Sequence, residues 1–315
     1  MSRSMPTLFV VAACCAAAAA DGPSQIHQGI EGCWLRNGVA EAFVSGRPYP
    51  RVVVFRVLGG PSPFRVVTTD PYYGVRSWFM EPAQNEDSGL PSARPAEVQI
   101  LTPLSARLTA APEEKSGLQL TIEVALDAAR PSLTIRHGFR NLRGGTRRLA
   151  VWAIMAMPHE GLALAAWAKG AMTARSLMFF PGTDPAEPCL RLGQEALGVD
   201  FGVASKGGQL KVGTNSDVGW VGYTWRGQAM QSRVAHVEGA EYPEGGATVT
   251  FYTCGQRMDE GFSEVEHVGP LTDVAPGETL WLEQAIALTG GVTSAGGVDA
   301  SLTAVRKAFT ELGVR

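Results

Sequence analysis

Apolar side chains recur at every second position through much of this chain. Leu118, Leu120, Ile122, Val124 and Leu126 alternate with Gln119, Thr121 and Glu123, the two-residue period of a strand with one buried and one wet face. Ala128-Ala129-Arg130-Pro131 turns the chain, and Leu133, Ile135, His137 and Phe139 resume the alternation, so the two runs predict a hairpin. Residues 149–157 are apolar throughout, as in a central strand covered on both faces. Further strands are predicted over residues 51–58, 209–212, 220–225, 228–237, 248–254 and 279–288, nearly all bounded by Gly, Pro, Asn or Asp. One stretch has a clear helical period: Leu302, Val305, Phe309 and Leu312 form a stripe with Ser301 as N-cap. It predicts a C-terminal helix packed on the outside of the sheets. Strands do not alternate with helices, which argues against a parallel α/β sheet. The expected fold class is all-β: a large antiparallel β-sandwich of two packed sheets. Residues 70–97 and 180–198, rich in Pro and Gly, read as long loops, the kind of segment that commonly binds ligands.

The first twenty residues stand apart. Arg3 precedes an apolar run from Thr7 to Ala20 that Asp21-Gly22-Pro23 breaks. A basic start, a short apolar stretch and Ala18-Ala19-Ala20 read as a secretory signal peptide over residues 1–20, giving an exported, periplasmic or extracellular protein. The run is too short to span a bilayer. Val11-Ala12-Ala13-Cys14 also resembles a bacterial lipobox, which leaves lipidation of Cys14 as an alternative. Residues 21–315 read as one domain. Lys and Arg total 27 against 30 Asp and Glu, so no net charge draws the chain to nucleic acid. The 37 Gly and 20 Pro suit a fold with many turns. Outside the leader, Cys33, Cys189 and Cys254 are widely spaced and form no zinc motif. An exported chain could pair two of them, and the sequence does not choose which. No metal or other cofactor is expected.

Short motifs in a fixed order give the chain a likeness. Asn37-Gly38 with Glu41 precedes the strand that ends at Gly59-Gly60. His137 and Asn141 precede Ala150-Val151-Trp152-Ala153-Ile154. Lys211-Val212-Gly213 precedes Gly219-Trp220-Val221-Gly222-Tyr223. Tyr242-Pro243-Glu244-Gly245-Gly246 is followed by Glu264, Glu266, Pro270 and Pro276-Gly277-Glu278. In this order the motifs, over about Gly32 to Leu288, resemble an uncharacterised family of galactose-mutarotase-like proteins. A Gly-Arg pair expected near the start is replaced by Tyr49-Pro50-Arg51. The resemblance implies a supersandwich fold with a carbohydrate-directed concave face. It implies no particular reaction, since fold alone does not license function.

Aldose mutarotation needs a base for the anomeric hydroxyl and an acid for the ring oxygen, a Glu and a His in true mutarotases. His159 lies at the end of the buried strand and Glu266 fits the family motif, so this pair is the catalytic candidate. Glu264 and Glu266 would share one face of a strand and His267 the other, and close carboxylates can split their pKa values. His137 shares a face with Leu133 and Ile135, where an imidazole is ordinarily a satisfied core group. Pyranose rings stack on Trp and Tyr, and Arg or Lys beside such rings can hold hydroxyls or a carboxylate. The substrate-binding candidates are Arg76, Trp78, Glu81, His137, Asn141, Trp152, Lys211, Trp220, Tyr223, Tyr242 and Glu264. Trp34 and Trp281 read as core. Three functions stay open: an exported carbohydrate-binding protein without catalysis, an epimerase or polysaccharide-processing enzyme, and an interaction protein that kept only the sandwich. The expected partner is a mono- or oligosaccharide, and the oligomeric state is open.

Overall fold

Two-residue alternation builds both layers of the molecule. The computed structural model describes residues 25–67, 70–83, 87–170, 172–173, 176–203, 205, 208–254, 261–292 and 296–311. The proposed signal peptide and Cys14 lie outside the described residues. The described strands form two antiparallel sheets, of eleven and ten strands. The first runs, in spatial order, through Gln25–His27, Ile30–Arg36, Ala40–Ser45, Arg51–Val57, Val75–Met80, Arg147–Met157, Phe262–Val268, Val249–Cys254, Gln209–Thr214 and Met178–Phe179. Thr272–Val274 pairs with the start of the Arg147–Met157 strand. The second runs through Leu190–Leu192, Ala196–Asp200, Leu162–Ala166, Trp220–Trp225, Gln228–Val234, Thr279–Gly290, Ser132–Asn141, Leu118–Leu126, Ser105–Ala110 and Ala96–Thr102. The expected hairpin forms, with Ile122 opposite His137 and Leu120 opposite Phe139.

One apolar layer, including Phe79, Phe139, Val151, Met155, Tyr223, Phe251 and Val265, fills the space between the sheets. Burying one such large side chain contributes about 1.5–3 kcal/mol. Neither of the long stretches read as loops is one. Residues 70–97 contain the central strand Val75–Met80, and residues 180–198 contain Leu190–Leu192 and part of Ala196–Asp200. In the Val75–Met80 strand Arg76 is 2% exposed. With both faces covered, the polar–apolar contrast that marks a strand in sequence is lost.

The helix spans Val298–Glu311 and covers the outer face of the second sheet. Leu302, Val305 and Phe309 pack on Leu164, Ala166, Ala196, Trp220 and Ala229. Ser301 is not the N-cap: it is buried inside the first turn and its Oγ donates to Gly297 O at 2.9 Å. Asp299 instead ties the helix to the sheet edge, accepting the backbone N–H groups of Gln194 and Glu195. Among the described residues no helix is long and apolar enough to cross a membrane. Cys33, Cys189 and Cys254 are free thiols.

A single line of polar side chains crosses the apolar layer. His137 Nδ1 meets Ser77 Oγ at 2.7 Å and its Nε2 meets Gln284 Oε1 at 3.0 Å. Gln284 Nε2 donates to Ser232 Oγ at 2.9 Å, and Ser232 Oγ meets His267 Nε2 at 3.0 Å. The bonds are consistent with a neutral His137 donating from Nε2 and accepting at Nδ1. Burial pulls His137 down to about 4 and His267 to about 3. His137 is therefore a bridge between the sheets, not a sugar ligand. Because its folded pKa is depressed, the unfolded chain takes up a proton below pH 6.5 that the folded chain refuses until about pH 4. His137→Gln, which keeps a donor and an acceptor, removes that penalty. Relative to wild type it should gain roughly 1–2 kcal/mol in stability between pH 7.5 and pH 5, read by urea denaturation. A pH-independent difference between the two proteins would contradict this role.

Candidate functional site

The outer face of the first sheet, turned away from the second, carries charge where the inner face carries methyl groups. Strand register sets the arrangement. Arg76 stands opposite Ile154, Ile154 opposite Glu266, and Glu266 opposite Thr250. In the next row Ala156 stands opposite Glu264, Glu264 opposite Tyr252, and Tyr252 opposite Lys211. Trp78 and Trp152 are direct partners and meet edge to face at 5.2 Å. Alternation along each strand thus sends Arg76, Trp78, Trp152, Glu264, Glu266 and Lys211 to one surface. Ala156, small and fully buried, lies on the strand between those of Arg76 and Glu264, and the Glu264 Oε1 accepts from Arg76 Nη2 diagonally across it.

These charges are almost fully withdrawn from water. Arg76 is 2% exposed, Glu264 5% and Glu266 1%. Glu266 Oε2 accepts from Trp152 Nε1 at 3.0 Å and from Thr250 Oγ1. Burial pushes the Glu264 carboxyl up to about 7; Arg76 opposes the shift, while the Glu266 carboxylate, hydrogen-bonded to it, adds to it. Arg76 lies over the rings of Trp78 and Tyr72, at 5.0 and 5.2 Å. Its Nε and Nη1 have no hydrogen-bond partner, so part of the guanidinium is satisfied only by aromatic faces. Lys211 Nζ sits 4.5 Å from the centroids of both Trp152 and Phe180 and donates to Glu244 Oε1 at 2.9 Å. Burial lowers the Lys211 pKa, but Glu266, Glu244 and Glu264 more than offset it, so the ammonium is held above its ordinary value. Glu244 adopts φ 54°, a left-handed conformation that a non-glycine residue seldom takes. Burial raises its carboxyl despite Lys211, and its Oε2 is unpartnered.

Loops roof this surface. A cavity of about 460 Å³ opens between Trp152, Met80 and Glu81 on one side and Phe180, Pro243 and Glu244 on the other. Phe180 reaches the sheet because residue 213 is Gly: a Cβ there would stand 3.2 Å from the Phe180 ring and 2.9 Å from Thr250. Glu81 lines the cavity and is ion-paired with Arg147 at 2.7 Å.

The structure gathers Arg76, Trp78, Glu81, Trp152, Lys211, Glu264 and Glu266 on this face and disperses the others. The His159–Glu266 pair does not converge. His159 Nδ1 meets Ser263 Oγ at 2.9 Å, and Ser263 and Glu266 point to opposite faces of their strand. Trp220 is covered by the C-terminal helix. Tyr223 lies between the sheets and donates to Glu160 O at 2.6 Å. Asn141 is a buried turn-former, donating to Gly145 O and Val274 O. Tyr242 faces a different cleft. Trp281 is half-exposed under Arg136 rather than core. Sequence reasoning missed Thr250, Tyr252, Phe180 and Tyr72 as neighbours of the charged groups. Thr250 and Tyr252 were legible as the polar phase of an alternating strand; Phe180 and Tyr72 lie in the two stretches read as ligand-binding loops, but nothing local singled out either residue within them. Among the described residues no cluster of three or more His, Cys, Asp or Glu could hold a metal.

The architecture defines an antiparallel supersandwich. Solved structures give it a more particular likeness, to galactose mutarotase-like proteins. One from Lactobacillus casei aligns over 82% of this chain and 100% of its own at 10% identity, with a TM-score of 0.59. Another from Clostridium acetobutylicum aligns over 85% and 98% at 10% identity, TM-score 0.53. The Slr1438 protein from Synechocystis aligns over 91% and 100% at 12% identity, TM-score 0.55. The chain therefore has the galactose mutarotase-like fold, as its motifs implied. No protein-family profile and no curated protein matches the sequence.

The raised Glu264 pKa has a checkable consequence. Its folded pKa lies above the unfolded value, so the folded chain takes up a proton first as pH falls from about 7 towards 4.5, and stability rises over that window. Glu264→Gln lacks this proton. The wild type should gain roughly 1–3 kcal/mol relative to Glu264→Gln between pH 7.5 and pH 5. Parallel urea curves at the two pH values measure it, and equal shifts in both proteins would refute it.

Proposed function

We propose that this chain is an exported carbohydrate-binding protein that takes a sugar in the cavity lined by Trp152, Phe180, Glu81 and Glu244, the last held by Lys211. The observation that carries the reading is that cavity itself: about 460 Å³, with aromatic and carboxylate groups on facing walls. A pyranose offers C–H groups to an aromatic face and hydroxyls to the groups around it. Trp152 and Phe180 supply rings, and Glu81 and Glu244 supply acceptors. The unpartnered Oε2 of Glu244 has capacity for one more donor. The galactose mutarotase-like fold of the neighbours supports the same reading, as does the lack of any histidine that converges with Glu266. Export rests on the apolar leader ending at Ala18-Ala19-Ala20.

One observation favours a second reading, proton-transfer catalysis. Burial pushes the Glu264 carboxyl, beside Glu266, up to about 7, so at neutral pH it can both hold and release a proton. In mutarotation the ionised carboxylate would remove the anomeric hydroxyl proton and the protonated carboxyl would deliver one to the ring oxygen.

A glycan array on the chain, followed by titration of the best ligand, tests the first reading. Trp152→Ala and Lys211→Met should each weaken binding about tenfold or more, and failure of every glycan to bind would reject it. Polarimetry of aldose mutarotation tests the second: a rate above background that Glu266→Gln abolishes would establish it, and no rate would remove it.

A further inference from the structure

A second cleft, of about 690 Å³, lies against the loop that carries Glu244. Its lining includes Lys169, Asn215, Asp217, His236 and Tyr242. The His236 and Tyr242 rings are parallel, 5.5 Å apart with 6° between their planes. Tyr242 Oη accepts the Val237 N–H at 2.9 Å, which fixes the ring. His236 Nδ1 and Asn215 Oδ1 are shut away from solvent without a partner. The cleft shares an aromatic ring and carboxylates with the first cavity and adds the Asn215 amide and the Lys169 ammonium.

The two clefts meet at Gly245, which lines both. Gly245 and Gly246 have φ of 76° and 99°, and a Cβ built on either meets nothing within 4 Å. The crest between the clefts is therefore bare backbone, open to a chain passing over it. Two ion pairs hold the segment that leads into this stretch, Arg148–Glu241 at 2.8 Å and Lys211–Glu244 at 2.9 Å.

We infer that the two clefts are successive subsites for one oligosaccharide, which crosses Gly245–Gly246 from the Trp152–Lys211 cavity onto the Tyr242 ring. The inference rests on the proposed sugar site and adds that its ligand is a chain of sugars rather than a single one. Calorimetric titration of the full chain with gluco-, manno- and galacto-oligosaccharides of one to six units tests it. Affinity should rise about tenfold or more between one unit and four, as a second subsite is filled. Tyr242→Ala and Lys169→Gln should each remove most of that gain, whereas Lys211→Met should weaken binding at every length. Affinity independent of length overturns the inference and leaves the sugar site standing. A gain that survives Tyr242→Ala and Lys169→Gln, in variants whose melting is unchanged, overturns it too. No binding at any length overturns the sugar site and the inference together.

Discussion

Charge held out of water governs the outer face of the first sheet. Arg76, Lys211, Glu264 and Glu266 occupy neighbouring rows, Glu244 reaches them from a loop, and the protein pairs them through Arg76–Glu264 and Lys211–Glu244. Removing one member of such a pair strands the other in a medium that cannot solvate it. The pairing therefore fixes more than two side chains. Lys211 draws the Glu244 loop down over the sheet and sits between the Trp152 and Phe180 rings. The cavity exists because that ion pair spans its rim. A surface of apolar residues alone would have no reason to hold the loops at this height.

The inner face solves the same problem in the opposite way. His137 and His267 are as deeply buried as Glu264, but they meet hydroxyl and amide groups rather than charges. Without an ionic partner, burial keeps both imidazoles neutral. The outer face and the layer between the sheets thus respond to acid with opposite signs: protonation favours the fold at Glu264 and opposes it at the histidines. Neutral, fully bonded polar groups crossing an apolar layer fix how the sheets sit over each other.

The positions of the histidines bear on function more than their number. The fold supports an acid–base pair only where two side chains reach one space, and His159 and Glu266 occupy opposite faces of the sheet. What converges instead is carboxyl with carboxyl, and ammonium with aromatic ring. The proposed sugar site draws on this convergence, with rings for stacking and carboxylates for hydrogen bonds. Glu266, Glu244 and Glu264 keep Lys211 charged where water is scarce.

The sequence by itself determined the architecture. Strict alternation at Leu118–Leu126, the turn at Arg130-Pro131 and the stripe at Leu302, Val305 and Phe309 follow from backbone period, which is local. The same period placed Glu264 and Glu266 together and His267 behind them. Only the tertiary structure decided which strands lie side by side, because pairing between Val75–Met80, Arg147–Met157 and Phe262–Val268 joins residues far apart in the chain. That pairing turned a stretch read as a loop into the strand bearing Arg76 and Trp78. It sent Trp220 beneath a helix and Tyr223 into the core, although their neighbours in sequence resemble those of Trp78. A side chain's burial depends on what packs over it, and no local pattern encodes the partner that arrives from a hundred residues away.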